Sequence, residues 1–248
     1  MARVKAVVLA AGRGVRMGGT QPKTLIPVAE HPMLHYILEG LKIAGVDDLL
    51  VVTGFEGGQI EEFVTEHWSA QVAFVFNARW ASWGNFHSVR MALDQSPGFD
   101  VLCVNSDVVV HPDVYKKTLA VQAPLVLAVQ RRPNLDQEDM RVELDGDRIR
   151  QISKHVKPAR SHGEFGGVSL VRPEAARLYL DTSTDWEWRG EPTGYYEDVY
   201  ATMLDRVDTR AAFIRIDEYA EVDVPEDLPD AAALIARSPD AWKAPQPA

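Results

Sequence analysis

The stretch Val4-Lys5-Ala6-Val7-Val8-Leu9-Ala10-Ala11-Gly12-Arg13-Gly14-Val15-Arg16-Met17-Gly18, followed by Pro22-Lys23, decides the fold. Its first part, Val4 to Ala10, is an apolar run of strand length with the composition of a buried strand. The chain then turns sharply through glycines. Gly12 and Gly14 permit positive φ and let backbone N–H groups approach an anion closely. Arg13, Arg16 and Lys23 bring three cations to the same turn, a set suited to phosphate oxygens. Ala10 and Ala11 leave room for a flat base beside the strand end. Two other phosphate loops are excluded by spacing: no glycine stands three positions after Gly14, and no Gly-Lys-Ser/Thr is present around Lys23. A solvated glycine-rich turn would explain Gly12-x-Gly14 alone, but not the whole run with its Pro-Lys pair.

Beyond this turn, apolar runs alternate with amphipathic stretches. Strands are predicted at 49–52, 72–76 and 101–104, and helices at 33–44, 60–67, 86–93 and 114–121. The texture changes after about residue 124. There the pattern predicts a strand at 125–129 and a hairpin of 141–144 with 148–152 around Asp145-Gly146-Asp147. A strand at 168–171 and a helix at 173–180, opened by Pro173, follow. A polar, Trp-rich loop (181–193), a helix at 197–206, a strand at 212–216, the Glu221-Val222-Asp223 segment and a helix at 225–236 complete the chain. Strand and helix in regular turn predict an α/β fold, a mostly parallel mixed sheet sandwiched by helices. One domain over 1–237, with an embellished second half (124–237) after 1–123, and a flexible tail over 238–248 are expected.

The 248 residues carry 26 Lys+Arg against 36 Asp+Glu, a formal charge of −10, which argues against a nonspecific nucleic-acid binder. Apolar runs fall far short of the ~20 residues of a membrane span, and Arg13 and Arg16 directly after the first apolar run argue against a signal peptide. One cysteine, Cys103, allows no internal disulfide and suits a reducing cytoplasm. No nucleic-acid or membrane partner is expected, and a homo-oligomer is left open.

LAAGRGVRMG followed by PKTLIPV resembles the signature of the nucleotidyltransferase (nucleotide-sugar pyrophosphorylase-like) superfamily, which makes nucleotide-activated sugars and alcohols. Val51-Val52-Thr53-Gly54-Phe55, Asn105-Ser106-Asp107 and Glu221-Val222-Asp223-Val224-Pro225-Glu226-Asp227-Leu228 extend the resemblance over most of the chain. It implies a Rossmann-like nucleotide-diphospho-sugar transferase fold, with 1–123 as nucleotide-binding half and 124–237 as acceptor-binding half. It also implies that Leu9, Ala10, Ala11, Gly12, Arg13 and Gly14 wrap a triphosphate, with Arg16 and Lys23 catalytic through charge neutralisation. The acceptor's phosphate would attack the α-phosphorus.

Asp107 follows the strand predicted at 101–104, where α/β sheets place ligands, and Asp223 precedes a Pro-started helix. A triphosphate requires a divalent cation, and Mg²⁺ takes one or two carboxylates plus phosphate oxygens. The family uses aspartates at these two motif positions as ligands; taken singly, Asp107 also reads as a strand-end cap and Asp223 as a helix N-cap. Relatives often carry Asp-x-Asp where this chain has Asn105-Ser106-Asp107. Asn105 therefore supplies no second carboxylate and is placed at the ribose or a metal-bound water.

Asn77-Ala78-Arg79-Trp80-Ala81-Ser82-Trp83-Gly84-Asn85-Phe86-His87-Ser88 resembles the narrower phosphocholine cytidylyltransferase-like branch. Asn77, Asn85 and Ser88 could read a cytosine edge, which favours CTP, or Asn85 and Ser88 could cap a helix. Lys154 matches a family lysine that holds the acceptor's phosphate, and otherwise reads as an exposed strand-end lysine. Tyr195, Tyr196, Glu197 and Asp198 match the branch's tyrosine–acid pair near the acceptor. With Trp80, Trp83, Trp186 and Trp188 they could cage a quaternary ammonium, or pack a core. His87, His155 and His162 lack zinc-ligand spacing, and Ser106 lacks the hydrolase elbow. The implied reaction transfers CMP from CTP to a small phosphorylated alcohol or phosphonate, releasing pyrophosphate. Sugar-1-phosphate or inositol-phosphate transfer with CTP, UTP, GTP or dTTP and a noncatalytic nucleotide-binding subunit are the alternatives. A glycosyltransferase is disfavoured by the Arg-rich loop.

Overall fold

A computed structural model describes residues 3–132, 135, 137–190 and 193–243. The first half supplies β1 (Val4–Ala10), a short ribbon of β2 (Pro27–Val28) and β3 (His31–Pro32), α1 (Met33–Ile43), β4 (Asp48–Thr53), α2 (Gly57–His67), β5 (Gln71–Phe76), α3 (Phe86–Asp94), β6 (Asp100–Asn105), β7 (Val108–Val110) and α4 (Asp113–Ala120). The second supplies β8 (Leu125–Gln130), β9 (Arg141–Asp145), β10 (Arg148–Ile152), β11 (Gly163–Val171), α5 (Pro173–Arg189), α6 (Tyr196–Met203), β12 (Thr209–Ile214), β13 (Tyr219–Glu221) and α7 (Leu228–Arg237).

Strands from both halves join one nine-stranded sheet in the order β5-β4-β1-β6-β11-β8-β12-β10-β9. Strands β5, β4, β1 and β6 run parallel; β11 is antiparallel to both its neighbours, and β12 is parallel to β8. Period-two alternation sorts the side chains onto two faces. Val7 and Cys103 meet α3, α5 and α6 in one core, while Ala6, Val8 and Val104 meet α1, α2 and α4 in the other. The result is a sheet sandwiched by helices. The chain leaves β1 toward β4 and β5, then returns to β1's other flank as β6. That reversal opens a crevice at the carboxyl ends of β1 and β6, where open α/β sheets bind ligands.

Three elements differ from the sequence pattern. Helix α5 continues past residue 180 to Arg189, through the stretch expected to be a loop. Thr182 and Thr184 donate their hydroxyls to the carbonyls of Leu178 (2.8 Å) and Leu180 (2.7 Å), and Trp186 packs on Phe86, so weak helix formers are held by tertiary contact. Strand β11 begins at Gly163 rather than 168. Gly166-Gly167 reads as a break, yet it is a register shift inside the strand, with Gly167 at φ 69°. After Arg237 the chain makes a 3-10 turn over Pro239–Trp242 and buries Trp242 against Tyr36. Residues 244–248 of the expected tail lie outside the described residues.

Among the described residues, no helix is long and apolar enough to cross a membrane.

Candidate functional site

The loop after β1 bends back through Gly14, at φ 63° and ψ 50°, into a 3-10 turn over Val15–Met17. Gly14 is required twice. Its φ suits glycine, and a Cβ there would lie 2.6 Å from Cβ of Lys23. Gly12 has no positive φ, contrary to the reading above; a Cβ there would meet nothing within 4 Å. Its service is to leave space, since it lines the cavity the loop encloses. Gly18 and Gly19, at φ 96° and 59°, make the remaining left-handed bends.

This cavity, of about 360 Å³, is bounded by Leu9, Gly12 and Gly14 from the loop, Arg16 and Lys23, Asn85, Asn105, and Asp107 with Asp223. The acids meet because β7 and β13 pair as an antiparallel ribbon, with Glu221 opposite Val108. The Val222 N–H then donates to the Asp107 carbonyl at 2.9 Å, locking residues 107 and 222 side by side. Glu221 and Asp223, two apart on an extended segment, present the same face. Carboxylate oxygens of Asp107, Glu221 and Asp223 all lie within 4.8 Å of one another. Glu221 was not singled out in the sequence. Its i, i+2 relation to Asp223 was the available signal.

Cations face these acids. Lys23 Nζ donates to Asp223 Oδ1 (2.5 Å) and Asp107 Oδ2 (3.2 Å), and an Arg16 N–H donates to Asp223 Oδ2 at 2.8 Å. Burial alone would lower the Lys23 ammonium pKa, but Asp107 and Asp223 outweigh it and raise it. Burial likewise opposes ionisation of Asp223, and the hydrogen bond and charge of Lys23, with Arg16, hold its carboxyl below the usual value. Asp107 Oδ1 is buried with no hydrogen-bond partner. An orphaned carboxylate oxygen beside two further carboxylates is a donor set that fits a hard divalent cation. Among the described residues, no histidine or cysteine joins it.

The remaining expected nucleotide contacts divide. Leu9 borders the cavity. Ala10 and Ala11 are buried, the Ala11 carbonyl accepts the Phe55 N–H at 3.0 Å, and neither borders the cavity, so they leave no open shelf there. Arg13 donates to the Gly19 carbonyl at 3.0 Å and lies over the Phe55 ring; it braces the loop from outside the cavity. Asn77 and Ser88 are buried and bonded to each other (2.9 Å), with Asn77 Oδ1 accepting the Arg79 N–H. They shape the 77–85 loop instead of lining the cavity. Asn85 and Asn105 do line it, and both are tied to Tyr196: its N–H donates to Asn85 Oδ1 and its hydroxyl to Asn105 Oδ1, each at 2.9 Å.

The expected acceptor residues divide too. Lys154, Tyr195 and Glu197 border a second cavity that also touches Asp107 and Asp223. Lys154 Nζ donates to Glu138 at 3.2 Å and stands 5.5 Å from the centre of the Tyr195 ring. Burial pushes the Glu197 carboxyl up to about 8. Tyr196 is buried and committed to the asparagines, and Asp198 accepts the Tyr195 N–H at 2.9 Å, closing the start of α6. Neither of these two sits at the acceptor cavity as expected. The tryptophans do not converge there either: Trp80 packs on Phe55, Trp83 and Trp186 on Phe86, and Trp188 is 86 % exposed.

Residues 6–208 match the family described as MobA-like NTP transferase domain. CMP-5'-(3-aminopropyl)phosphonate synthase of Streptomyces rubellomurinus is 33 % identical over 186 residues, 71 % of this chain and 28 % of that protein. Choline-phosphate cytidylyltransferase of Streptococcus pneumoniae is 33 % identical over 95 residues, 37 % of this chain and 40 % of that protein. The matches thus span less than half the length of these relatives. The inositol-1-phosphate CTP transferase of T. maritima superposes with a TM-score of 0.80 at 18 % identity, covering 95 % of this chain and 97 % of that one, and so shares the fold.

Proposed function

The chain belongs to the MobA-like NTP transferase domain family and is a nucleotidyltransferase; on that premise we propose that it transfers CMP from CTP to a small phosphorylated alcohol or phosphonate with a cationic end, releasing pyrophosphate. One observation carries this reading. Arg16 and Lys23 and the carboxylates of Asp107 and Asp223, which come from distant parts of the chain, border one cavity at the sheet's switch point, and Glu221 clusters with those two acids. The cytidylyl preference follows the relatives named above.

A phosphomonoester is already anionic near neutral pH, its second pKa being near ~6, so the reaction needs no general base. The protein's work is alignment and charge neutralisation. Arg16 and Lys23 offset the charge of the α-phosphate and the departing pyrophosphate. Glycine-loop N–H groups cradle the outer phosphates, and Asn85 and Asn105 fix the nucleoside side. Lys154 steers the acceptor's phosphate toward the α-phosphorus for in-line displacement. Asp107, Glu221 and Asp223 would hold Mg²⁺, which when bound supplies further charge neutralisation at the reacting phosphate.

Pyrophosphate release tests this, with four nucleoside triphosphates each crossed with phosphocholine, phosphoethanolamine, aminoalkyl phosphonates, inositol phosphate and hexose-1-phosphates. Release with CTP and an aminated acceptor, lost in Lys23→Ala and Asp107→Ala, is expected. Near wild-type turnover in either variant would refute the role assignment.

A further inference from the structure

The cations and the acids of the nucleotide cavity have different partners in the reaction, yet in the structure they hold each other. Lys23 Nζ donates to Asp223 Oδ1 (2.5 Å) and Asp107 Oδ2 (3.2 Å), and an Arg16 N–H donates to Asp223 Oδ2 at 2.8 Å. Both oxygens of Asp223 and one of Asp107 therefore already accept from a cation. Those two acids, with Glu221, are the residues that fit a divalent ion, and the two cations are the ones that offset phosphate charge. One ammonium and one guanidinium cannot serve both sets of oxygens at full strength.

Shelter from water sharpens this competition. The Lys23 side chain is only 12 % exposed. A divalent cation on the same carboxylates would face the ammonium with little water to screen the repulsion. A triphosphate resolves the conflict, because its oxygens accept from the same N–H donors. Both cations border the cavity, so they reach those oxygens by turning their ends and not by moving the loop. For Lys23 the stem is fixed: Gly14 lies against its Cβ, Cγ and Cδ, which leaves the ammonium as the part that can turn.

We propose that Lys23, aided by Arg16, guards the metal carboxylates: it keeps a divalent cation off Asp107 and Asp223 until nucleotide phosphates draw the ammonium away, so that metal is taken up with the nucleotide and not before it. This rests on the nucleotidyltransferase reading above and adds an order of assembly to it. Without such a guard, three carboxylates within 4.8 Å of one another would load a divalent ion in the nucleotide-free protein.

The test is Mn²⁺ binding to nucleotide-free protein, followed by the electron paramagnetic resonance signal of the free ion. In Lys23→Met, which keeps the bulk of the stem and removes the charge, affinity should rise about tenfold or more over wild type. Adding Asp223→Asn to that variant should abolish the gain. Lys154→Met removes the same charge from a lysine bound to Glu138 instead, and should change affinity by less than about threefold. Should Lys23→Met not fold, Arg16→Met, whose side chain is 63 % exposed, reads the same exchange at Asp223; a gain of about threefold is expected there, and no gain overturns the inference. Unchanged or weaker affinity in folded Lys23→Met, or an equal gain in Lys154→Met, would also overturn it, while pyrophosphate release by wild-type protein would keep the transfer reading standing. Absence of that release with every nucleoside triphosphate would overturn the transfer reading itself, whatever the Mn²⁺ result.

Discussion

Replacing Gly14 by alanine perturbs the site through geometry alone. The native φ of 63° lies in the left-handed region, where a Cβ costs ~1–2 kcal/mol. That penalty concerns folding. A second effect concerns chemistry, because the new Cβ would lie 2.6 Å from Cβ of Lys23, an atom next to the backbone and not the pliable end of a side chain. Ordinary van der Waals contact begins at 3.4 Å, about 0.8 Å farther, so the base of Lys23 must shift. Its Nζ, 2.5 Å from Asp223 and 3.2 Å from Asp107, would then leave a two-point placement. A misplacement of about 1 Å in a positioning group costs roughly a hundredfold in rate. The expected result is a fall of that order in kcat/KM for CTP, read by pyrophosphate release, with denaturant unfolding showing the 1–2 kcal/mol loss. Gly18→Ala separates the two effects: φ there is 96°, but a Cβ meets nothing within 4 Å. It should lose comparable stability while keeping kcat/KM within a few-fold. Equal activity losses in the two variants, or wild-type-like turnover in Gly14→Ala, would refute the idea that close packing of the loop on Lys23 sets the catalytic cation.

Glu221→Gln removes one carboxylate of the three; the Mg²⁺ midpoint for turnover should rise tenfold or more, and superimposable Mg²⁺ titrations would exclude Glu221 from the metal site. Tyr196→Phe deletes the hydroxyl that donates to Asn105. It should raise KM for CTP with little change in kcat, and pairing it with Asn105→Ala should give a non-additive cycle, whereas strictly additive losses would break the proposed link. Burial pushes the Cys103 thiol up to about 12. Its folded pKa thus exceeds the unfolded value of roughly 8.5, so the associated stability is complete below that pH and is lost as pH rises toward the folded value. Unfolding measured from pH 8 to 11 should show this decline, and iodoacetamide at pH 8 should label Cys103 only in denaturant; rapid labelling of native protein would contradict it.

Sequence pattern was legible wherever one face of an element decided its burial. The run Val4–Ala10, buried throughout its centre, and the amphipathic α1 lie within a residue or so of their expected bounds. Legibility failed where local preference and tertiary contact disagree. Residues 181–189 contain Asp, Thr and Ser, poor helix formers, and stay helical because Ser183 is buried and Trp186 packs against α3. Gly166-Gly167 looks like a strand end, yet bordering strands carry the ladder across it.

Site residues follow the same division. Arg16, Lys23, Asp107 and Asp223 stood in motifs, and the structure gathers them at one cavity. Asn77 and Ser88 also stood in a motif, but amide and hydroxyl groups serve a loop's own fold as readily as a ligand, and here they satisfy each other. Glu221 shows what no motif held. Its approach to Asp107 depends on pairing between Val108–Val110 and Tyr219–Glu221, two three-residue strands too short to announce themselves by alternation. What stabilises that ribbon is the cluster behind it, where Val109 and Val222 are fully buried with Met33 and Ala231. The backbone bond from Val222 to Asp107 then forces the carboxylates on either side of residue 222 toward residue 107. Side-chain burial at Val109 and Val222 therefore sets the spacing of the acids, and apolar residues with no polar atom to offer a nucleotide or a metal determine whether the charge-bearing ones can act together.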